Sequence, residues 1–342
     1  MRAVRVLPLL VTLALVLVFQ LAPAEAAEQC AHRGKLDVLY CDEDRDLIAD
    51  APKDPKKLVS PDTLIFAYVP VEDPAVYATT FSDLLRYIEK VTGKKTQYFG
   101  PQNYAAQIEA MRSGRLHITG FATGSVPFAV NLAGAVPFAV MGSEQGGAGY
   151  HLIVITQAAN AKINSVADLK GKRVAHVSQT SNSGHQAPVY FFSKMGVVPG
   201  KDYEIRFTGK HDNSILGVVN GDYDAAAVAH TVLERMVNRG VVKKTDYKVV
   251  YTSPLFPVAG WSYAHDLDPK LAEKIKEAFA TFKIEGSSLA KEWKPPRYTR
   301  FVPVSYKKNW EAVVGIQEAN GIVYTKDSPE YKKLQKPAKP GE

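Results

Sequence analysis

The sequence has only two cysteines and, beyond its N-terminus, no long apolar run. Two cysteines are too few for a dense disulfide scaffold, and no neighbouring histidines complete a four-ligand zinc site. After residue 27, no stretch approaches the ~20 consecutive apolar residues of a membrane-spanning helix. The net charge of +7 comes from scattered lysines and arginines, and this scatter argues against a nucleic-acid partner.

Two motifs of common enzyme classes are also absent. No glycine-rich loop ends in Gly-Lys-Ser or Gly-Lys-Thr, as the Walker A loop of nucleotide-binding proteins does. The Gly-x-Ser-x-Gly turn, which exposes the nucleophile of many hydrolases, does not occur either. The sequence therefore gives little support to nucleotide hydrolysis or to serine-based ester hydrolysis.

The N-terminus is typical of an exported protein. Arg2 and Arg5 precede an apolar run over residues 7–21, and small residues follow up to Ala27. This order predicts a secretory signal peptide over residues 1–27, cleaved near Ala27. An uncleaved membrane anchor is the alternative, but the apolar run is short for a span. We therefore expect an exported protein that is soluble once the signal peptide is removed.

A polar extension follows the signal peptide. Residues 28–60 are punctuated by proline and show no sustained apolar period, so they predict an N-terminal extension rather than a domain. Both cysteines, Cys30 and Cys41, lie in this extension. Because an exported chain enters an oxidising compartment, we predict a disulfide between them.

The extension contains a run spaced as Asp-x-Asp-x-Asp-x-x-x-Asp, formed by Asp42, Asp44, Asp46 and Asp50. Such spacing brings together the hard oxygen ligands that Ca²⁺ prefers. The run departs from the EF-hand loop, since Leu47 stands where glycine is needed and Lys53 where the bidentate glutamate belongs. It looks more like the short calcium loops of thrombospondin type 3 or dockerin repeats. A structural calcium ion and a solvated acidic loop both remain open.

From Thr63 onward, apolar β-type runs alternate with amphipathic helical segments. The predicted strands cover residues 63–69, 117–121, 173–178, 204–208, 223–229 and 260–264. The predicted helices cover residues 74–91, 232–239 and 269–282, or begin near residues 126, 185 and 213. This alternation is typical of an α/β fold. The chain is long enough for two lobes, which we place at 61–153 plus 255–330 and at 154–254, with a flexible tail over 331–342.

Glycines cluster between Gly142 and Gly149. They do not lead from a strand into a helix, so a dinucleotide-binding motif has little support here. We expect a mobile loop at these glycines, ahead of a crossover strand over residues 150–156.

The loops that follow the predicted strands are candidate ligand contacts, because α/β sheets bind ligands beyond the carboxyl ends of their strands. The loop richest in donors contains Thr180, Ser181, Asn182 and Ser183, followed by Gly184. One serine or asparagine suffices to cap a helix, whereas four short polar side chains suit an oxyanion. Helix capping alone remains the alternative.

Two histidines, His211 and His230, also stand at strand ends. An imidazole can donate an N–H group to an oxyanion. Ser183 and His211 also suggest a nucleophile and its base, but no acidic residue at a recognisable spacing orients the histidine. An exported hydrolase is therefore the weaker interpretation.

Five segments together carry a resemblance to a known family. They are Phe66-Ala67-Tyr68, Asn103-Tyr104-Ala105, Ser181-Asn182-Ser183-Gly184, His211-Asp212-Asn213, and Ser253-Pro254-Leu255 with Pro257. In this order, over roughly residues 63–324, the sequence resembles the PhnD-like phosphate, phosphite and phosphonate-binding proteins of ABC transporters. The resemblance implies a bilobal periplasmic-binding-protein fold with two doubly wound lobes joined by a two-crossover hinge. It also implies a non-enzymatic protein that needs no cofactor and works with an ABC permease in the inner membrane.

The resemblance implies that phosphorus-bound oxygens are held by Ser181, Asn182, Ser183 and His211. Further expected ligand contacts are Tyr68, Phe121, Thr123, Thr180, His230 and Thr231. Thr231 and Ala259 align with acidic residues that hold the ammonium group of aminoethylphosphonate in some members. A smaller anion therefore fits better: phosphite, methylphosphonate or phosphate. We also expect a monomer.

Protonation offers a basis for choosing among these anions. Monohydrogen phosphate carries an O–H donor that calls for an acceptor, whereas the P–H group of phosphite needs none. The candidate loops offer carboxylates only at Glu72, Asp73 and Asp212. Other interpretations left open are a binding protein of the same fold for sulfonate, nitrate or a thiamine precursor, and a sensor subunit that reports the ligand to a membrane kinase.

Overall fold

The computed structural model describes residues 30–293 and 298–324. The predicted signal peptide and the tail over 331–342 lie outside these residues. The extension contains a 3-10 turn at Pro55–Lys57, and it carries the predicted disulfide between Cys30 and Cys41, whose Cα atoms lie 5.5 Å apart. The disulfide prediction is thus confirmed. Asp37 joins the extension to the rest of the chain, since its carboxylate pairs with Arg112 at 3.1 Å.

The strands, in chain order, are β1 (Thr63–Tyr68), β2 (Lys95–Phe99), β3 (Ile118–Phe121), β4 (Ala135–Ser143), β5 (Gly146–Gly147), β6 (Gly149–Gln157), β7 (Arg173–His176), β8 (Glu204–Phe207), β9 (Ala225–Ala229), β10 (Tyr247–Pro257), β11 (Gly260–Ala264) and β12 (Arg300–Pro303). The helices are α1 (Ala75–Thr80), α2 (Ser82–Thr92), α3 (Tyr104–Arg112), α4 (Val126–Ala133), α5 (Ala187–Lys194), α6 (His211–Asn220), α7 (His230–Asn238), α8 (Pro269–Thr281), α9 (Ser288–Glu292), α10 (Tyr306–Asn309) and α11 (Glu311–Ala319). A π-helical turn at Asn182–Gln186 leads directly into α5, and a second 3-10 turn spans Val166–Leu169.

The strands form two sheets. The first has the order β12-β4-β11-β3-β1-β2, with β5 paired to β4, and the second has the order β10-β6-β9-β7-β8. In the first sheet β1 runs parallel to β2 and β3, and in the second β7 runs parallel to β8 and β9. The predicted α/β, bilobal fold is therefore confirmed. The carboxyl ends of β1, β3, β7 and β9 lead into the loops that form the site described below.

The chain crosses between the sheets twice, at residue 148 and at residues 258–259. The lobe divisions expected at 153/154 and 254/255 instead fall within β6 and β10, because these two strands pair with each other along most of their length. The two crossovers lie side by side, since Ala148 accepts a backbone hydrogen bond from Val258 at 3.3 Å.

Two local predictions differ from the structure. The glycine-rich segment is a β-hairpin rather than a mobile loop, because Gly142 pairs with Gly147 and Ser143 with Gly146. A Cβ atom at Gly142 would lie 2.2 Å from the Gly146 carbonyl oxygen, so glycine permits this close pairing. The helix expected over 74–91 is divided into α1 and α2 at Phe81, whose ring is buried in the core.

The side chains packed beside the site differ between the two sheets. In the first, aromatic rings surround Tyr68, whose ring centroid lies 4.9 Å from that of Tyr77 and 5.5 Å from that of Trp261. In the second, the central strand β9 has the sequence Ala-Ala-Ala-Val-Ala and is buried throughout. Small side chains on this strand let α6 and the helical turn at Asn182–Gln186 pack closely against it.

Candidate ligand-binding site

A cavity of about 60 Å³ lies between the two sheets. Its lining from the first sheet comprises Tyr68, Val69, Val71, Tyr104, Ala122, Thr123, Met141, Trp293 and Tyr298. Its lining from the second comprises Tyr150, Ser181, Asn182, Ser183, His211, Ala229, Thr231, Val232 and Arg235, with Val258 and Ala259 at the second crossover. Since ~10–15 Å³ of such volume is enough for one water molecule, the cavity has room for a small anion of a few heavy atoms.

The Ser181 loop forms the polar wall of this cavity. Ser181 caps the helical turn, because its Oγ accepts a hydrogen bond from the Gly184 N–H group at 3.1 Å. The first N–H groups of a helix have no partner within the helix and carry its positive dipole end, so they attract anions. Gly184 is required for the close packing of this turn, since a Cβ there would lie 2.5 Å from the Val177 side chain.

His211 presents a neutral N–H group to the same wall. Its Nδ1 accepts a hydrogen bond from the Ala229 N–H group at 3.2 Å, so the proton of the neutral ring sits on Nε2. Nε2 lies 3.5 Å from Ser181 Oγ. Burial, with a smaller contribution from Arg235, lowers the pKa of His211 to about 3. A ring that already carries its proton on Nε2 is a donor there and cannot act as a general base at that atom. His211 therefore does not suit the role of the base that a serine hydrolase requires.

Two buried polar atoms at the cavity wall have no hydrogen-bond partner in the described chain: Tyr104 Oη and Asn182 Oδ1. Asn182 is held in place because its Nδ2 donates to Tyr150 Oη at 3.2 Å. Burial raises the pKa of Tyr104 well above its usual value, so its hydroxyl stays protonated and can donate. Since buried polar groups are rarely left unpaired, these two atoms indicate a polar ligand.

Arg235 places a positive charge at the edge of the cavity. Its Nε donates to Glu72 Oε1 at 2.9 Å, and Glu72 also accepts from Tyr77 Oη at 3.0 Å and from Arg239. Burial alone would raise the pKa of Glu72, but Arg235 and Arg239 together lower it. The carboxylate therefore stays ionised and joins a loop of the first sheet to helix α7 of the second.

The structure brings together most of the residues expected at the site. Those that line the cavity are Tyr68, Thr123, Ser181, Asn182, Ser183, His211 and Thr231. Three expected residues lie outside it. Phe121 is fully buried in the core of the first sheet, Thr180 Oγ1 accepts from Ser125 Oγ at 3.0 Å, and His230 Nδ1 accepts from the His151 N–H group at 2.9 Å.

Sequence reasoning missed Tyr104, Tyr150 and Arg235 as cavity residues. A signal existed for Arg235, because it follows Thr231 by four residues and so lies on the same face of α7. Tyr104 opens α3 directly after its capping residue Asn103, but nothing local directs its side chain across to the second sheet. Tyr150 lies on β6, just after the first crossover, so its position depends on how the two sheets meet.

The acidic loop of the extension lies apart from this cavity. Asp42, Asp44 and Asp46 each place one carboxylate oxygen within 4.8 Å of those of the other two. Burial and the neighbouring carboxylates raise the pKa of Asp46 to about 6. Asp50, expected as a fourth ligand, is not part of this cluster, because its Oδ2 accepts from the Glu43 N–H group at 2.7 Å and closes the loop.

The described residues include no helix that is both long enough and apolar enough to cross a bilayer. Among curated proteins, the chain is 29% identical to the phosphate-import protein PhnD of Mycolicibacterium smegmatis over 246 residues, which are 68% of this chain and 75% of that protein. It is 24% identical to the phosphonates-binding periplasmic protein of Escherichia coli, with 76% of this chain and 80% of that protein covered.

Solved structures show the same fold. PhnD1 of Prochlorococcus marinus, in complex with methylphosphonate, superposes with a TM-score of 0.67 at 19% identity, covering 77% of this chain and 99% of that one. A binding protein component of an ABC phosphonate transporter from Pseudomonas aeruginosa superposes with a TM-score of 0.68 at 20% identity, covering 80% and 93% of the two chains.

A match to a family model shows which protein family the chain belongs to. The model described as "ABC transporter, phosphonate, periplasmic substrate-binding protein" matches residues 66–310, which include almost all of both sheets and the whole cavity lining. The resemblance seen in the sequence is thereby confirmed. The chain belongs to the family of periplasmic substrate-binding proteins of phosphonate ABC transporters, and its role is binding for transport rather than catalysis.

Proposed function

We propose that this chain captures a small phosphorus oxyanion in the cavity between its lobes and delivers it to an ABC permease in the inner membrane. The observation that carries the proposal is the convergence of three potential donors, Ser181, His211 and Tyr104, on one small cavity. The buried Tyr104 hydroxyl has no partner in the described chain. The ligand oxygens accept from the Ser181 loop and from His211 Nε2 on one side. Tyr104 donates from the other.

Two lobes that close on the ligand are part of this proposal. We assign residues 61–147 plus 260–324 to one lobe and 149–257 to the other, because β6 and β10 both belong to the second sheet. Two contacts between the lobes support a closed form: the His211 N–H group donates to the Val71 carbonyl oxygen at 3.0 Å, and Ser125 Oγ donates to Thr180 Oγ1 at 3.0 Å. A ligand that touches both lobes stabilises this form, which the permease recognises.

The lining favours phosphite and methylphosphonate over phosphate and aminoethylphosphonate. Within residues 30–293 and 298–324, no aspartate or glutamate lines the cavity. Glu72 is held by Arg235 and Arg239, and Asp212 Oδ2 accepts from the Asp73 N–H group at 3.1 Å. The site therefore offers no carboxylate to a phosphate O–H group or to an ammonium group, and its unpartnered acceptor is the uncharged Asn182 Oδ1. Apolar residues such as Val69 and Met141 suit a hydrogen or methyl substituent.

The proposal also includes export of the chain to the periplasm. The signal peptide over residues 1–27 is removed near Ala27, and the remaining chain works in the periplasm as a monomer. The disulfide between Cys30 and Cys41 supports an oxidising compartment. The family assignment supports the same location. Mass spectrometry of the exported protein checks the cleavage site, and light scattering checks the oligomeric state.

A thermal-shift series tests the ligand class. We expect phosphite and methylphosphonate to raise the melting temperature most, phosphate less, and aminoethylphosphonate and sulfate least. A ligand at 100 times its dissociation constant adds about 2.7 kcal/mol to the free energy of unfolding. Absence of a shift with every phosphorus anion contradicts the proposal. Hydrolysis of a phosphate ester that disappears in Ser183→Ala would contradict the assignment as a binding protein.

A further inference from the structure

We propose that the acidic loop over residues 42–50 binds one Ca²⁺ ion, which fastens the N-terminal extension in its folded form. The site is separate from the anion cavity, because none of its residues lines that cavity. It also lies outside residues 66–310, which carry the family match. The proposal therefore stands independently of the one for phosphorus anions.

Three carboxylates converge at the distance that one calcium ion requires. One oxygen from each of Asp42, Asp44 and Asp46 lies within 4.8 Å of the other two. Calcium holds its oxygen ligands at roughly 2.3–2.6 Å, so two oxygens on the same ion lie at most about 5 Å apart. The spacing of the three oxygens is therefore compatible with one shared ion.

Asp42 gives the second, independent observation. Its side chain is only 1% exposed, and its Oδ2 accepts no hydrogen bond in the described chain. The nearest basic group is His32 Nδ1 at 3.7 Å, and this nitrogen is engaged at 2.7 Å by the backbone carbonyl oxygen of Asp42. A buried carboxylate oxygen without a partner is costly, and a bound cation removes that cost.

The loop backbone also matches a calcium loop. Leu47 stands at the sixth position, where EF-hand loops use glycine, and it adopts a left-handed φ of 74°. Leu47 and Arg45 are the non-glycine residues with positive φ in the described ranges. This conformation is unfavourable for a residue with a Cβ, so other interactions must hold it. The glycine-to-leucine departure therefore leaves the loop geometry intact.

Side-chain contacts shape the loop and leave oxygens available for the ion. Asp44 Oδ1 accepts from the Asp46 N–H group at 3.2 Å, and Asp46 Oδ1 accepts from the Ile48 N–H group at 3.0 Å. Each carboxylate retains its second oxygen for the ion. In loops of this spacing the seventh residue, here Ile48, adds its backbone carbonyl oxygen, and water completes the six to eight ligands that calcium prefers.

Calorimetric titration of CaCl2 into the purified, chelator-treated protein tests the proposal. We expect one calcium ion per chain and a rise in melting temperature that excess chelator reverses. Asp44→Asn and Asp46→Asn should each weaken calcium binding at least tenfold. Glu43→Gln is the matched control, because it removes the same charge from the same loop while Glu43 pairs with the exposed Lys53 outside the cluster.

Methylphosphonate binding serves as the folding check, since the loop lies outside the anion cavity. A variant that binds methylphosphonate normally but has lost calcium binding supports the proposal. Two results overturn it: no heat and no thermal shift with millimolar CaCl2 on the unmodified protein, or an equal loss of calcium affinity in Glu43→Gln and Asp44→Asn. The first result is decisive even if an aspartate variant fails to fold.

Discussion

Arg235 Nε donates a hydrogen bond to Glu72 Oε1 at 2.9 Å, and this contact joins the two lobes beside the cavity, which Arg235 lines. Glu72 follows β1 of the first sheet, whereas Arg235 lies on α7 of the second, and both side chains are buried. Separation of the lobes would break the pair and expose both charges to water. The pair therefore stabilises the closed form through an ion pair that lies beside the ligand-binding cavity.

We predict that Glu72→Gln weakens anion binding at least tenfold. The substitution leaves the Arg235 guanidinium without its carboxylate when the lobes close, and breaking a buried pair from one side costs about 3–5 kcal/mol. Glu292→Gln is the control, because Glu292 pairs with Arg239, the more exposed of the two arginines. Calorimetric titration with methylphosphonate measures both variants. Equal affinities of Glu72→Gln and the unmodified protein for methylphosphonate would show that the Glu72 carboxylate does not stabilise the closed form.

The loop after β3 presses against the Ser181 loop at Gly124. A Cβ at this position would lie 2.3 Å from the Thr180 carbonyl oxygen and 2.6 Å from the Asn182 nitrogen. We predict that Gly124→Ala keeps the protein folded but weakens anion binding at least tenfold, because the lobes cannot close fully. Small-angle scattering should show a more open average shape with ligand present.

Gly315→Ala provides the comparison for this glycine. Gly315 lies in α11, and a Cβ there meets nothing within 4 Å. This variant should raise the free energy of unfolding by about 0.4–1 kcal/mol through reduced freedom of the unfolded chain, without changing anion affinity. Similar affinities in the two alanine variants would show that contact at Gly124 does not limit closure.

We expect Tyr104→Phe to affect anion binding but not the stability of the folded protein. The Tyr104 hydroxyl is buried and unpartnered in the described chain, so its removal should leave the free energy of unfolding unchanged or slightly higher without ligand. A hydrogen bond to a charged group contributes about 1.5–3 kcal/mol, so the dissociation constant for methylphosphonate should rise at least tenfold. Chemical denaturation and calorimetric titration measure the two effects. A drop in stability with no change in affinity would assign Tyr104 to the core instead of the ligand.

Acidification should destabilise the protein through His211. Its folded-state pKa is lowered to about 3, below the unfolded value of roughly 6.5, so its contribution is complete above that value and is lost as pH falls from about 6.5 to about 3. The expected slope is on the order of 1 kcal/mol per pH unit. Denaturation curves from pH 7 to pH 4 should show a shallower pH dependence in His211→Asn. An unchanged slope in that variant would contradict a buried, neutral His211.

The fold and the polar wall of the site were predictable because their signals are local. Alternating apolar runs predicted the strands, and four short polar residues before a helix predicted the Ser181 loop. Thr180 belongs to the same run, but it lies in the turn before Ser181 and its Oγ1 accepts from Ser125 Oγ. Composition alone does not reveal which member of a polar run faces the ligand.

The remaining parts of the site depend on contacts between distant segments. Glu72 and Arg235 are separated by 163 residues, and only the packing of α7 against the loop after β1 brings them together. Tyr104 reaches the cavity because α3 starts at its edge. In the acidic loop, the spacing predicted the convergence of Asp42, Asp44 and Asp46, whereas the turn that directs Asp50 to the Glu43 backbone has no signature in the sequence.

Competitive calorimetric titration of the unmodified protein tests the central claim most directly. Phosphite, methylphosphonate, phosphate and sulfate are titrated separately at constant pH and ionic strength. We predict one anion per chain, with phosphite or methylphosphonate bound at least 100-fold more tightly than sulfate and at least tenfold more tightly than phosphate. Sulfate binding as tight as that of methylphosphonate, or no heat with any phosphorus anion, would contradict the account.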